Sequence, residues 1–114
     1  MNDVSAERVA RNDAIFREAN EQIRDAAEKY EVLDRVPFLC ECADETCTEI
    51  VRVSLVDYEA VRTDSRRFLY TPGHHVAFEG SVKLVENRDG YDVVEKVGVA
   101  AKIVEELDPR RDDG

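Results

Sequence analysis

Three cysteines fall within eight residues of this 114-residue chain, in the run Phe38-Leu39-Cys40-Glu41-Cys42-Ala43-Asp44-Glu45-Thr46-Cys47, and the chain has no others. An odd, tightly spaced set makes a poor disulfide framework, because one thiol is left over whichever pair forms. In a reducing compartment such a cluster reads as a metal site or a redox switch. The spacing C-x-C-x4-C carries a geometric demand. Residues two apart share a face of an extended strand and adjacent ones alternate, so gathering three thiols on one ion requires the chain to turn nearby. Ala43-Asp44-Glu45-Thr46 supplies a turn that brings Cys47 back.

A zinc ion takes four ligands in a tetrahedron, so three thiolates need a fourth donor. The two histidines of the chain, His74 and His75, stand together directly after Pro72-Gly73. Either one, held on that turn, completes a Cys3His set, with His74 preferred and His75 able to substitute. Three thiolates and an imidazole suit Zn2+. A closed four-ligand site leaves no position for water, which argues for a structural role and against hydrolysis. A plainer reading makes Cys40 and Cys42 small apolar residues at a strand end and the histidines solvated loop residues. The acidic neighbours Glu41, Asp44, Glu45 and Glu49 are expected to raise the thiol pKa values by like-charge repulsion, which weakens a free nucleophilic cysteine. Oxidation that releases the ion keeps a thiol/zinc redox or metal sensor as the alternative.

Charge narrows the partners. With 26 acidic against 16 basic residues and a net charge of −10, the chain is poorly suited to grip nucleic acid or to adsorb on an anionic membrane. Apolar residues are interrupted by charge throughout, so no run approaches the roughly 20 residues of a membrane span. The start, MNDVSAERVARN, lacks the basic and apolar blocks of a signal peptide. A cytoplasmic location is therefore expected.

The length suits one domain, residues 1–114. Residues 5–31 read as an amphipathic helix with Val9, Ile15, Phe16, Ala19, Ile23, Ala26, Ala27 and Tyr30 as its apolar stripe, and with Glu18, Glu21, Arg24 and Asp25 on the opposite face. Ser5 is a candidate cap. The plain reading is a solvated helix that packs one stripe on a sheet; about seven turns exceed what a core of this size needs, which keeps pairing with a partner helix or a second copy as the alternative. The metal-stabilised core follows over 36–107. Val36-Pro37-Phe38-Leu39 and Glu49–Val53 read as strands, Ser54 with Asp57 as a capping box for a short helix, and Phe68–Tyr70 as a further strand. Val82–Glu86 and Tyr91–Lys96 flank Asp89-Gly90, a hairpin signal. Val99, Ala100, Ile103, Val104 and Leu107 form a closing helical stripe before Pro109, and residues 108–114 are expected to fray. The fold class expected is α+β: a long N-terminal helix, a small mainly antiparallel sheet with a hairpin, a short C-terminal helix and a zinc-stabilised loop.

Other chemistry has less support. Arg62, Arg66 and Arg67 with Tyr70 could meet a phosphate, although a solvated basic turn explains them more simply. Tyr58 and Tyr91 read as packed aromatics with hydroxyls at the surface. No nucleotide-binding glycine loop or nucleophile elbow occurs. Glu95 and Glu105-Glu106 read as exposed carboxylates without an acid–base role.

The segments Ile15-Phe16-Arg17-Glu18-Ala19-Asn20-Glu21, Val36-Pro37-Phe38-Leu39-Cys40-Glu41-Cys42-Ala43 and Cys47-Thr48-Glu49, with Tyr58–Arg62, Arg67-Phe68 and Pro72-Gly73-His74, carry a resemblance. Together they resemble a family of short uncharacterised actinobacterial proteins with a C-x-C-x4-C … P-G-H pattern, over residues 7–107. The family has no assigned activity, so the resemblance implies no function. It does imply that Cys40, Cys42, Cys47 and His74 belong to one motif, with His75 outside it. Asn20 also matches, although asparagine is unfavourable in mid-helix; a hydrogen bond from Asn20 to the metal loop or its neighbouring backbone would account for it. The function expected is a non-enzymatic, zinc-stabilised protein-interaction or regulatory module whose partner carries a basic surface.

Overall fold

Helix, two strands, helix, strand, hairpin and helix follow one another in this computed structural model, which describes residues 6–42 and 44–110. The fold is α+β as expected. Helix α1 spans Ala6–Lys29, β1 Val36–Leu39, β2 Ile50–Val53, α2 Leu55–Arg62 and β3 Arg67–Tyr70. A 3-10 turn at His74–Phe78 leads to β4 (Val82–Arg88), β5 (Tyr91–Lys96) and α3 (Gly98–Glu106). No helix among the described residues is long and apolar enough to cross a membrane.

Two antiparallel sheets form. β1 pairs with β2, with Val36 opposite Val53 and Phe38 opposite Val51, so the β-branched and aromatic residues of both strands share the inward face. The second sheet has the order β3-β5-β4. Its central strand buries Tyr91, Asp92, Val93 and Val94 in succession, as a strand covered on both faces does. Gly90 takes a φ of 89° in the Asp89-Gly90 turn, a region open to glycine without a Cβ penalty. Ser54 caps α2 as predicted, its Oγ accepting the Asp57 N–H at 3.1 Å, while the Asp57 carboxylate faces Arg88. Phe38 stacks on Tyr58 with ring centroids 4.1 Å apart and an interplanar angle of 9°. The Tyr58 hydroxyl is buried rather than at the surface and donates to Glu21 Oε2 at 2.6 Å. Tyr91 is buried as well.

Helix α1 presents a different face from the one its apolar residues outline. Val9, Ala10, Asp13, Arg17, Asn20 and Ala27 are buried at helical spacing, whereas Ile15 is 65% and Tyr30 69% exposed. Ala26 is exposed too, and Phe16, Ala19 and Ile23 are half-buried. The helix packs on α3 and on the β1 edge and reaches β5 through the Asp13–Lys96 pair, so polar partners share with side-chain hydropathy in setting its rotation. Glu21, expected on the solvent face, accepts from Tyr58 and Arg62. The helix stops where the Glu31 N–H donates to the Glu28 carbonyl (3.2 Å) and the Val32 N–H to that of Ala27 (2.8 Å). This termination places Glu31 at φ 58°, where glycine is the usual occupant. The predicted Ser5 cap lies outside the described residues.

The other end of the core also differs in detail. Ala100 and Val104 are the buried residues of α3, while Val99 and Leu107 face outward. Within the tail expected to fray, residues 108–110 carry ion pairs. Asp108 pairs with Arg62, and Arg110 donates to Glu59 through Nη1 (2.9 Å) and Nη2 (2.6 Å) and pairs with Glu21. Complementary charge from α1 and α2 holds a segment that has little apolar surface to bury. Residues 111–114 lie outside the described residues.

Candidate metal centre

The end of β1 delivers the first two thiols. Cys40 prolongs the first sheet, its N–H donating to the Glu49 carbonyl at 3.0 Å, and the next N–H, of Glu41, donates to Leu69 of β3 at 2.8 Å. The chain thus bridges the two sheets within the C-x-C segment. Asp44 then makes the returning turn. Its Oδ1 accepts from the Thr46 N–H (2.9 Å) and hydroxyl (2.7 Å), and its carbonyl accepts the Cys47 N–H (3.0 Å). Ala43, included in the predicted turn, lies outside the described residues. On the other side Gly73, at φ 88°, caps the 3-10 turn and sends His74 toward the thiols.

The four ligand atoms of Cys40, Cys42, Cys47 and His74 all lie within 4.8 Å of one another. His74 Nδ1 is 3.6 Å from Cys40 Sγ and 3.8 Å from Cys47 Sγ. Bonds of about 2.3 Å to sulfur and about 2.0–2.1 Å to nitrogen place the donors of a tetrahedral site about 3.5–3.8 Å apart. The donor set therefore fits a single metal ion. Cys40 and Cys42 are buried and Cys47 and His74 half-buried, so the cluster is shielded on the protein side. His75 is not part of it; its Nδ1 lies 3.4 Å from Asp92 Oδ2 instead.

The electrostatics differ from the sequence expectation. The hydrogen bond from the Cys42 thiol, with help from the Thr71 N–H at 3.1 Å, holds Cys40 down to about 5. Cys42 is pushed up, first by donating to Cys40 and then by burial, and Cys47 is pushed up chiefly by burial. One thiolate is thus shared among three sulfurs. The acidic neighbours are not the cause. Glu41, the nearest in sequence, points away from the thiols and is completely buried. Its carboxylate accepts from Arg17 Nε (2.8 Å) and Nη2 (3.0 Å), Asn20 Nδ2 (2.9 Å) and the Leu69 N–H (2.9 Å). Asn20 also clasps the backbone of β1, donating to the Leu39 carbonyl (2.9 Å) and accepting the Leu39 N–H (2.8 Å). These are the contacts that the mid-helix asparagine called for.

Sequence reasoning missed the residues that support this loop. Arg17 was unremarkable as one of many charges, yet it is buried, with its guanidinium 3.9 Å from the centre of the Phe68 ring. Burial alone would lower its pKa, but the Glu41 carboxylate more than offsets that and raises it. The available signal was spacing: Asp13, Arg17 and Asn20 recur every three or four residues on one helix face. The arginines further on do not form a phosphate site. Arg62 is buried against Glu21 (3.2 Å) and Asp108, Arg66 lies 3.3 Å from Asp64, and Arg67 3.2 Å from Glu95. Tyr70 is buried and receives a hydrogen bond from Lys96 at 2.7 Å.

A groove of about 660 Å³ opens beside the cluster, with Cys42 and His74 at its base, Asp44 and Glu45 on one side and Val76, Ala77 and Phe78 on another. No family model, no curated protein and no solved structure matches this chain, so the functional reading rests on the chemistry of the cluster.

Proposed function

We propose that the protein is a small cytoplasmic zinc domain in which Cys40, Cys42, Cys47 and His74 hold one Zn2+ ion in a structural site, and that it acts as a non-enzymatic protein-interaction or regulatory module. The convergence of three thiols and one imidazole nitrogen within 4.8 Å supports this reading. All four tetrahedral positions are filled by the chain, which leaves none for a reacting water. The interaction role draws support from exposed Tyr30, Val32, Leu33 and Val56, with Glu31, Asp34 and Asp57 among them in sequence. The Leu55 N–H donates to the Leu33 carbonyl at 3.0 Å, which brings the 30–33 turn against the start of α2. Apolar residues set among carboxylates favour a partner with a basic, partly apolar surface.

Elemental analysis of protein purified under reducing conditions tests the site. One equivalent of zinc, lost in Cys42→Ser and His74→Ala with a fall in thermal stability, is the expected result. No metal, with three titratable thiols and an intact fold, would overturn it. A second reading, a thiol-based sensor, draws on the half-buried Cys47, the thiol of the cluster that solvent reaches. It requires that mild peroxide release the ion; a site that retains zinc under peroxide is structural only.

A further inference from the structure

We infer that loading of the Cys3His centre is coupled to docking of α1, with Glu41 as the latch; the inference rests on the centre holding a metal ion. Glu41 is the middle residue of Cys40-Glu41-Cys42. Two thiols committed to one ion fix the backbone on both sides of it, and so fix where its carboxylate points. That carboxylate takes two hydrogen bonds from Arg17 and one from Asn20, at 2.8, 3.0 and 2.9 Å. Arg17 and Asn20 are two of the three buried polar residues of α1, and both are almost wholly shielded from water.

The composition of the α1 interface makes this coupling steep. The fully buried apolar residues of α1 are Val9, Ala10 and Ala27, too small to hold a helix of 24 residues by themselves. The remainder of the buried face is Asp13, Arg17 and Asn20. A guanidinium buried without its carboxylate is strongly unfavourable, and so is an amide without partners. A shift of Glu41 therefore removes the counter-charge from the middle of the helix, leaving Arg17 its bond to the Arg67 carbonyl and α1 its packing on α3. Asp13 contacts Lys96 and Tyr70 of the second sheet, which holds the N-terminal part of the same face. The C-terminal part has separate ties through Glu21 to Arg62 and Arg24 to Glu59, 3.2 and 3.1 Å long. Opening is thus centred on residues 13–20. Without the ion, Glu41 keeps its reciprocal bonds with Leu69, and Cys40 those to Glu49 and Thr71, so it is the Cys42 side of the Glu41 backbone that the ion fixes. Opening of this segment lifts Arg17 from the face of Phe68, a buried aromatic.

Hydrogen exchange on the full chain, zinc-loaded and chelated under reductant, tests the latch. The backbone amides of residues 13–20 are expected to exchange about a hundredfold faster after chelation, while those of 92–96 in β5 keep greater protection. Equal exchange of 13–20 in the two states overturns the latch. So does an equal loss across β5, which would make the event global unfolding. A chain that binds one zinc with α1 indifferent to it removes the latch alone; a chain that binds none removes the centre as well. Glu41→Gln keeps all four metal donors. It is expected to retain one zinc, to open 13–20 even when loaded, and to weaken zinc affinity about tenfold, because coupling between two equilibria is reciprocal. Unchanged affinity and unchanged exchange in that variant would overturn the proposal. Asn20→Ser, a smaller perturbation, should open the same amides to a lesser degree, and its failure to do so counts equally against the latch.

Discussion

The two sheets of this protein are stabilised by different means. The β3-β5-β4 sheet has a central strand buried along four consecutive residues and a helix, α3, covering it with Ala100 and Val104. Its cohesion comes mainly from ladder hydrogen bonds and apolar burial, together with the buried ion pair of Lys96 and Asp13. The β1–β2 pair has four residues in each strand, and a two-stranded sheet is marginal in water without outside support. Its support comes from the thiol loop at one end and from Arg17, Asn20 and Glu41 along one edge. Where a short acidic chain has too few apolar residues to complete its core, ligands and buried charge complete it. The lesson concerns response as well as stability: apolar burial does not respond to metal or to protonation, whereas a site of thiols and buried ions depends on metal, oxidant and pH.

Removal of the metal should separate the two regions most widely. Chelation under reductant is expected to cost more than any single core truncation, above about 5 kcal/mol, since structural zinc contributes on the order of 10 kcal/mol in small domains. The check is calorimetry paired with hydrogen exchange, and protection should vanish from β1–β2 before β5. A bound ion would also make the first region sensitive to acid. Cys40 is ionised above about 5, while Cys42 and Cys47 are pushed up and must lose their protons to bind. Zinc affinity should therefore fall as pH falls, with about two thiol protons released per zinc near neutral pH. Titration calorimetry in buffers of different ionisation enthalpy counts them; three released protons would remove the special state of Cys40.

Phe68→Ala should cost about 4 kcal/mol and weaken both regions, because the ring is buried in the second sheet and carries the Arg17 guanidinium on its face. Arg17→Met should cost about 3 kcal/mol, by leaving the Glu41 carboxylate buried without its counter-charge. Urea unfolding measures both, and exchange locates them. The comparison holds if Arg17→Met releases β1–β2 and α1 first, and it breaks if β5 loosens to the same degree. The smallest effect should be a gain. Glu31→Gly relieves a left-handed residue at the end of α1 and should add about 0.5–1 kcal/mol, read as a rise in the urea midpoint.

Local chemistry was legible throughout the chain. The hairpin at Asp89-Gly90, the Ser54 cap and the strands at Val36–Leu39 and Phe68–Tyr70 follow from turn chemistry and from short apolar, strand-forming runs, which depend on near neighbours only. The cluster of Cys40, Cys42, Cys47 and His74 was legible for a similar reason, since chemistry-bearing residues were concentrated in two short loops. Placement after Pro72-Gly73 favoured His74 without excluding His75; the resemblance set His75 outside the motif and drew attention to Asn20.

The rotation of α1 was not legible. Hydrophobic periodicity placed Ile15 and Tyr30 inward and Glu21 outward, and the structure has the reverse. A charged residue paired in a core and one bathed in solvent look the same along a chain, because what separates them is a partner many residues away. Arg17 meets Glu41 across 24 positions, and Arg110 reaches Glu59 across 51. The sequence by itself determined the elements, their turns and the donors of a metal site, all of which local backbone and ligand chemistry dictate. Only the tertiary structure decided which face of the long helix is buried, because that choice depends on desolvated charges finding their counter-charges, and the pairing exists only once the fold has brought them together.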